Sequence, residues 1–332
     1  MNMQNRIRAA QQLADFLLSD DAELEEIIHR TYIHNYWFTP ENIKYSIQNI
    51  AKEFLNEQKL TEWLSIYAIN DDKKPKTIAI VAAGNLPMVS FHDILCVLIS
   101  GNILQLKLAE KDKILLPFVL KKWQSFDALL HDKINIVERL QDFDAVIATG
   151  SNNSARYFEY YFGKYKHIIR KNRNSIAILD GSESIEQLIA LGHDVFDYFG
   201  LGCRNVSALL LPENYDFSNL LVAFQSFSFL DQHNAYMNNL DYQRTLYLMN
   251  QTKMLDINFV NIVENNALCS PISCLFYQYY KNNDEINSFI NQENGNLQCI
   301  VGKGYLNFGQ TQMPSLNDYA DNIDTMQFIT NL

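Results

Sequence analysis

KTIAIVAAGNLP, residues 76–87, decides the fold class. Thr77 to Ala82 is a short run of β-branched and small apolar residues. It is too apolar for a strand with one wet face, so it predicts a strand buried in a parallel sheet. Gly84, Asn85 and Pro87 break the run and turn the chain into an apolar helix that ends near Gly101. Ile103 to Leu108 reads as the next strand and Lys113 to Trp123 as the next helix. Ile134 to Val137 and Ala145 to Ala148 read as two further strands. Strands alternating with helices imply βαβ units and a doubly wound sheet.

The same alternation resumes after Arg170. Ser175 to Leu179 is a predicted strand, Ile185 to Phe199 a helix, Val206 to Leu211 a strand and Phe217 to Phe227 a helix. A second α/β layer therefore begins near residue 172. On the other side of the opening stretch, Ile7, Ala10, Leu13, Leu17 and Leu18 fall at helical spacing, and a second helix follows Thr39-Pro40-Glu41. Residues through Leu64 read as polar-faced helices covering a later core. Asp71 to Pro75, DDKKP, is a solvated turn and the expected boundary. From Gln310 the chain is rich in Asn, Asp and Gln with scattered aromatics, which suits an arm packed on a partner subunit. Four parts follow: a helical region (1–74), a cofactor-binding α/β domain (75–171), a catalytic α/β domain (172–309) and a C-terminal arm (310–332). No internal repeat of fixed period is present.

Composition narrows the function. A chain of 332 residues, 48% apolar, can bury a large core. A formal net charge of −11 argues against nucleic acid or an acidic membrane as the main partner, although a local basic pocket can still hold a phosphate-bearing ligand. The first residues lack the uninterrupted apolar core of a signal peptide. The longest apolar run is broken by Gly84, Asn85 and Pro87, far short of the roughly 20 residues that span a bilayer. Cys96, Cys203, Cys269, Cys274 and Cys299 are odd in number, irregularly spaced and form no CxxC pair. A disulfide framework and a structural zinc site are both disfavoured. Reduced thiols and a cytoplasmic setting are expected, with no metal.

Cys203 stands out in Phe199-Gly-Leu-Gly-Cys-Arg-Asn-Val-Ser207. It follows a helix, precedes an apolar strand and sits beside two glycines that permit tight bends and close substrate approach. A thiol there can be exposed, and Arg204 beside it would favour the thiolate. A buried, inert cysteine is the alternative. The other four lie in apolar surroundings that suit core or strand positions. His92 and Cys96 share a helix face but lack a third ligand. Gly200-x-Gly202 follows a helix and lacks a third glycine, so the dinucleotide fingerprint fails, and neither a Walker A sequence nor GxSxG occurs.

Three further sites fall at strand ends. Asn85 could donate its side-chain amide to a developing oxyanion, or be an ordinary turn residue. Lys107 could hold a cofactor phosphate or ribose, or be a solvated lysine. Thr149-Gly150-Ser151 opens a helix whose N–H groups could face a pyrophosphate, or is simply an N-cap. The aromatic run Tyr157 to Phe162 either lines an acyl tunnel or packs one helix face into the core.

Taken in order, Ala82-Ala-Gly-Asn-Leu-Pro87, Leu106-Lys-Leu108, Ala148-Thr-Gly-Ser-Asn-Asn153, Ile169-Arg-Lys-Asn-Arg-Asn-Ser175 and Phe199-Gly-Leu-Gly-Cys-Arg204 resemble the aldehyde dehydrogenase superfamily. The closer likeness is to its acyl-CoA reductase branch, typified by the bioluminescence fatty-acid reductase subunit. The resemblance runs from about residue 75 to the C-terminus. It implies an aldehyde-dehydrogenase-like fold, with a Rossmann-type cofactor domain and an α/β catalytic domain. It also implies attack of Cys203 on an acyl-CoA or acyl-protein thioester, with Asn85 and the Cys203 backbone N–H holding the oxyanion. NADPH or NADH would deliver hydride to release an aldehyde, with Lys107, Thr149, Gly150 and Ser151 at cofactor positions. Two departures matter. Arg170 stands where aldehyde-oxidising relatives carry a Glu base, which disfavours hydrolysis to a free acid. The family's Glu-x-Phe-Gly-Pro ribose motif maps onto Ala267-Leu-Cys-Ser-Pro271, which lacks the carboxylate. The resemblance also implies a homo-oligomer. Competing readings are CoA-dependent aldehyde oxidation, a non-catalytic subunit of an acyl-transferring complex, and a cysteine hydrolase for which His193 is the nearest histidine in sequence.

Overall fold

The computed structural model describes residues 2–332. Four helices come first: α1 (Met3–Leu17), α2 (Ala22–His34), α3 (Pro40–Asn49) and α4 (Glu57–Leu64). Their starts are set by side-chain caps. Asn2, Asp21, Thr39 and Asn56 each accept a hydrogen bond from an N–H of the first turn, and Pro40 opens α3 where its missing N–H costs nothing. Next come β1 (Thr77–Val81), α5 (Phe91–Ile99), β2 (Ile103–Lys107), α6 (Leu115–Phe126), β3 (Ile134–Ile136), β4 (Ala145–Thr149), α7 (Asn152–Phe162) and β5 (Lys166–Arg170). Then follow β6 (Asn174–Ile178), α8 (Ile185–Phe196), β7 (Val206–Pro212), α9 (Ser218–Phe224), α10 (Asn234–Met249), β8 (Met254–Asp256), β9 (Asn261–Glu264), β10 (Cys274–Tyr280), α11 (Asn283–Glu293), β11 (Leu297–Gly302) and α12 (Thr325–Thr330).

The chain divides into two compact units, residues 1–172 with 314–332, and residues 173–313. The first is built on a five-stranded, wholly parallel sheet in the order β3-β2-β1-β4-β5. The order reverses between β1 and β4, which is the doubly wound, Rossmann-type arrangement anticipated from residues 76–87. Ile78, Ala79 and Ile80 of β1 are buried, as are all of Ala145 to Ala148 in β4, because helices cover both faces of a parallel sheet. α1 packs against α5 and α6, so the amino-terminal helices share one apolar core with the sheet.

The last residues join that same core. Leu316, Tyr319, Met326 and Ile329 are buried, and α12 packs on α5. The expected arm at 310–332 is therefore corrected from Pro314 onward: Leu316, Tyr319, Met326 and Ile329 are buried within this unit. Arg170 is buried with them. Its guanidinium pairs with Asp93 of α5 and donates from Nη2 to Thr325 Oγ1 at 2.8 Å, while the Thr325 hydroxyl turns to Asp93 at 3.4 Å. Arg170 is thus part of a buried ionic network.

The second unit carries a six-stranded sheet, β11-β6-β7-β10-β9-β8, parallel except for the antiparallel edge strand β8. The predicted strands from Ser175 and Val206 are adjacent in it as β6 and β7. The helix expected to run from Ile185 to Phe199 stops at Phe196, because Tyr198, Phe199 and Gly200 take left-handed backbone angles (φ 53°, 60° and 73°). Among the described residues no helix is long and apolar enough to cross a membrane.

Candidate active site

Every cofactor residue expected from the sequence, and Asn85 with them, falls on one edge of the first sheet. Asn85 follows β1, Lys107 is the last residue of β2, and Thr149 is the last residue of β4, with Gly150 and Ser151 next. These are three adjacent strands at the point where strand order reverses, the edge where open α/β sheets bind ligands. Lys107 is exposed, Asn85 half-buried and Ser151 exposed. Ser151 caps α7 by accepting from Ser154 N–H at 3.2 Å. A side chain at Gly150 would stand 2.9 Å from both Phe158 and Ser154, so glycine is what lets the strand end lie against α7. The aromatic run on that helix divides. Phe158 and Phe162 pack on Ala79, Val146 and Ala148, whereas Tyr157, Tyr160 and Tyr161 are exposed.

The loop bearing Asn85 is fixed at both ends. Ala83 N–H donates to Ser90 Oγ at 3.0 Å, Ser46 Oγ donates to Pro87 O at 2.8 Å, and Met88 N–H donates to Asp112 Oδ2 at 2.8 Å. Met88 holds a left-handed φ of 55° while only 1% exposed. A side chain at Gly84 would lie 2.5 Å from Ala109 Cβ, so the loops after β1 and β2 touch. Asp112 also accepts from Leu116 N–H at 3.3 Å at the start of α6. Burial pushes its carboxyl up to about 7, against the lowering effect of those two N–H groups. Nothing in the sequence separated Asp112 from the surrounding charges of Glu110-Lys-Asp-Lys113.

Cys203 lies in the second unit, half-buried, in the turn leading into β7. The left-handed residues before it are two aromatics, each 6% exposed. L-residues with a Cβ resist this conformation by roughly 1–2 kcal/mol each, so surrounding structure must hold it. Asn205, 3% exposed, supplies the grip. Its carboxamide Nδ2 donates to the carbonyls of Asp197 (2.8 Å), Asp194 (3.2 Å) and Val195 (3.3 Å), and its Oδ1 accepts from Gly202 N–H (2.8 Å). Carbonyls at a helix end have no intrahelical partner, and one buried amide serves three of them. Ser175 Oγ donates to the Cys203 carbonyl and accepts from Cys299 N–H, both at 3.0 Å. Arg204 Nη1 donates to Cys299 Sγ at 3.4 Å. No local pattern marks the bridging role of Ser175, whereas an Asn two positions past a Gly-Cys turn is a recognisable capping residue.

Cys269 corrects a sequence expectation. Its apolar neighbours predict a core position, as holds for the buried Cys96, Cys274 and Cys299, but Cys269 is exposed. Ser207 Oγ donates to Leu268 O at 2.7 Å, tying the segment Ala267–Pro271 to the start of β7. The Cys269 thiol is pushed up first by burial of its sulfur and then by the charge of Cys203. His193 hydrogen-bonds Asp197 at 3.0 Å, and none of its hydrogen bonds goes to Cys203, so the cysteine hydrolase reading gains nothing.

Solved structures give the fold independently. Aldehyde dehydrogenase 21 from Physcomitrella patens, in complex with succinate, matches at 14% identity over 91% of this chain and 74% of that one, with a TM-score of 0.69. An NAD-dependent aldehyde dehydrogenase from Sinorhizobium meliloti matches at 13% identity, 91% and 70% coverage and a TM-score of 0.68. An indole-3-acetaldehyde dehydrogenase solved with NAD+ matches at 13% identity, 91% and 72% coverage and a TM-score of 0.67. No curated protein matches the sequence. A family model described as acyl-CoA reductase (LuxC) matches residues 3–216. That span contains Asn85, Lys107, Thr149 to Ser151 and Cys203, and the chain belongs to the acyl-CoA reductase (LuxC) family, oxidoreductases acting on an acyl group.

Proposed function

We propose that the chain reduces an acyl-CoA, or another acyl thioester, to the aldehyde through a covalent intermediate on Cys203. The observation that carries this reading is the strained, Asn205-held turn that presents a half-buried thiol ahead of β7. In the first step the Cys203 thiolate attacks the thioester carbonyl. The carbonyl π electrons move to oxygen, the tetrahedral adduct collapses, and CoA leaves as its thiolate. Asn85 and the Cys203 backbone N–H are assigned the oxyanion by the family resemblance, a role that fits a half-buried amide on a loop fixed at Ala83, Pro87 and Met88.

A nicotinamide cofactor, NADPH or NADH, supplies the hydride that converts the acyl-enzyme to aldehyde and returns the thiolate. The exposed Lys107 and the α7 N-terminus beside Gly150 and Ser151 suit its phosphates. Ala267–Pro271 offers no carboxylate for a ribose, so the hold on that group falls to other residues. Arg170, locked to Asp93 and Thr325, cannot act as a base for hydrolysis. That supports exchange with a thiol over release of an acid. A cytoplasmic setting and a homo-oligomeric assembly complete the proposal.

The test is intact-protein mass after mixing with a panel of acyl-CoAs without nicotinamide, for the wild type and Cys203→Ala. An acyl adduct on the wild type alone, discharged by NADPH or NADH with aldehyde release, is the expected result. No adduct with any acyl-CoA would move the donor to an acyl-protein or the chain to a non-catalytic role. An adduct persisting in Cys203→Ala would reject the assigned nucleophile.

A further inference from the structure

The strands of the first sheet are all parallel, so their amino ends form the edge opposite Lys107 and Ser151. A cavity of about 360 Å³ opens there, within the first unit, and its wall is basic. Lys76 precedes β1 and Lys133 precedes β3. Lys73 and Lys74 come from the DDKKP turn, and Arg6 reaches in from α1. In a chain of net charge −11, five cations around one small cavity are a local reversal of sign.

Two of the five are neutralised. Arg6, 4% exposed, pairs with Asp71 at 2.5 Å and donates to Ile99 O at 2.7 Å, and Lys76 pairs with Asp144 at 3.2 Å. The remaining three, Lys73, Lys74 and Lys133, make no ion pair among the described residues. Lys133 is anchored by Gly101 O at 3.1 Å. Its ammonium is pushed down by burial and then by the Arg6 guanidinium. Gly101 itself holds a φ of 86°, and a side chain there would meet Arg6 Nη1 at 3.0 Å, so the turn fits closely over the guanidinium. Lys133 is partly desolvated, while Lys73 and Lys74 stand exposed at the rim of the same cavity, and such a group of cations gains from a ligand that brings negative charge and several acceptor oxygens.

We propose that this cavity binds a phosphate-bearing small molecule, held by Lys73, Lys74 and Lys133, at a site separate from the carboxyl edge of the sheet. Its volume lies at the low end of the ~300–1,000 Å³ of small-ligand pockets, which suits a diphosphate or a compact phosphomonoester. Binding is electrostatic in origin and weakens as ionic strength rises.

The experiment is isothermal titration calorimetry at low ionic strength with inorganic pyrophosphate, repeated with adenosine 3′,5′-bisphosphate. It compares the wild type, the double variant Lys73→Glu/Lys74→Glu on the exposed turn, and Lys107→Ala on the opposite edge. Saturable binding that weakens at least tenfold in the double variant and persists in Lys107→Ala is expected. Tighter binding of the bisphosphate would identify a nucleotide as the ligand and equal binding the phosphates alone, and both outcomes support the site. Binding lost only in Lys107→Ala, lost equally in both variants, or never saturable overturns it. None of these readouts depends on Cys203.

Discussion

Asp112 is 2% exposed and makes no ion pair among the described residues, an uncommon setting for a carboxylate. What it has are two backbone N–H groups, Met88 from the Asn85 loop and Leu116 from α6. Its pKa rises from 3.8 in the unfolded chain to about 7 in the fold. Between those values the folded protein binds the extra proton, so stability falls as pH rises through the window and levels off above about 7. The span is on the order of 4 kcal/mol at most. Asp112→Asn, which stays neutral, is expected to flatten the decline in Tm between pH 4 and 7, measured by thermal unfolding across buffers. An unchanged pH dependence in Asp112→Asn would show that the carboxyl titrates as an ordinary surface acid. This residue was illegible in the sequence, where Glu110-Lys-Asp-Lys113 reads as a solvated charge run. The partner that gives it meaning, Met88, is 24 positions away.

At the scale of elements, six strands with apolar runs are legible in the sequence, whereas β5, β8, β9, β10 and β11 and the ends of helices are not. Thr77–Val81 and Ala145–Thr149 declare themselves by continuous burial. β5 and β8 are short strands at sheet edges, and their mixed residues carry no such run. α8 shows the harder case. Its apolar spacing continues through Phe196 to Phe199, so periodicity predicts three more helical residues than form. The helix stops because Asn205 gathers its terminal carbonyls, and the left-handed turn at Tyr198 to Gly200 delivers Cys203 to the start of β7. Asn205→Ala removes a buried cap and leaves several polar groups unsatisfied, at a cost of about 1–3 kcal/mol. Under the proposed chemistry it also releases the turn. The acylation rate is therefore expected to fall at least tenfold at saturating acyl-CoA, with substrate affinity largely kept. Single-turnover adduct formation by mass, beside a denaturation curve, separates the two effects. A variant that loses stability but acylates at the wild-type rate would reduce Asn205 to a helix cap.

Over the whole molecule, the sequence exposed the two α/β layers and the order of the strand-end residues, because both are local patterns repeated along the chain. It did not expose the return of residues 314–332 to the first core, since Leu316, Tyr319, Met326 and Ile329 find partners such as Trp63 far away in the chain. The thiols show the same division. Five cysteines suggested one privileged residue among four inert ones, and the fold instead leaves two accessible: Cys203, half-buried, and Cys269, exposed. Cys269 is pushed up first by burial and then by Cys203's charge. Removing that charge must therefore lower it, and since the thiolate is the reacting species, labelling of Cys269 must quicken. Alkylation at neutral pH followed by peptide mapping is expected to modify Cys203 and Cys269 in the native protein and all five after unfolding. In Cys203→Ser the Cys269 rate profile should move to lower pH. Acylation of Cys203 by an acyl-CoA should produce the same displacement, because a thioester carries no charge. A Cys269 profile indifferent to both changes would mean that Cys203 exerts no charge on Cys269 over that pH range.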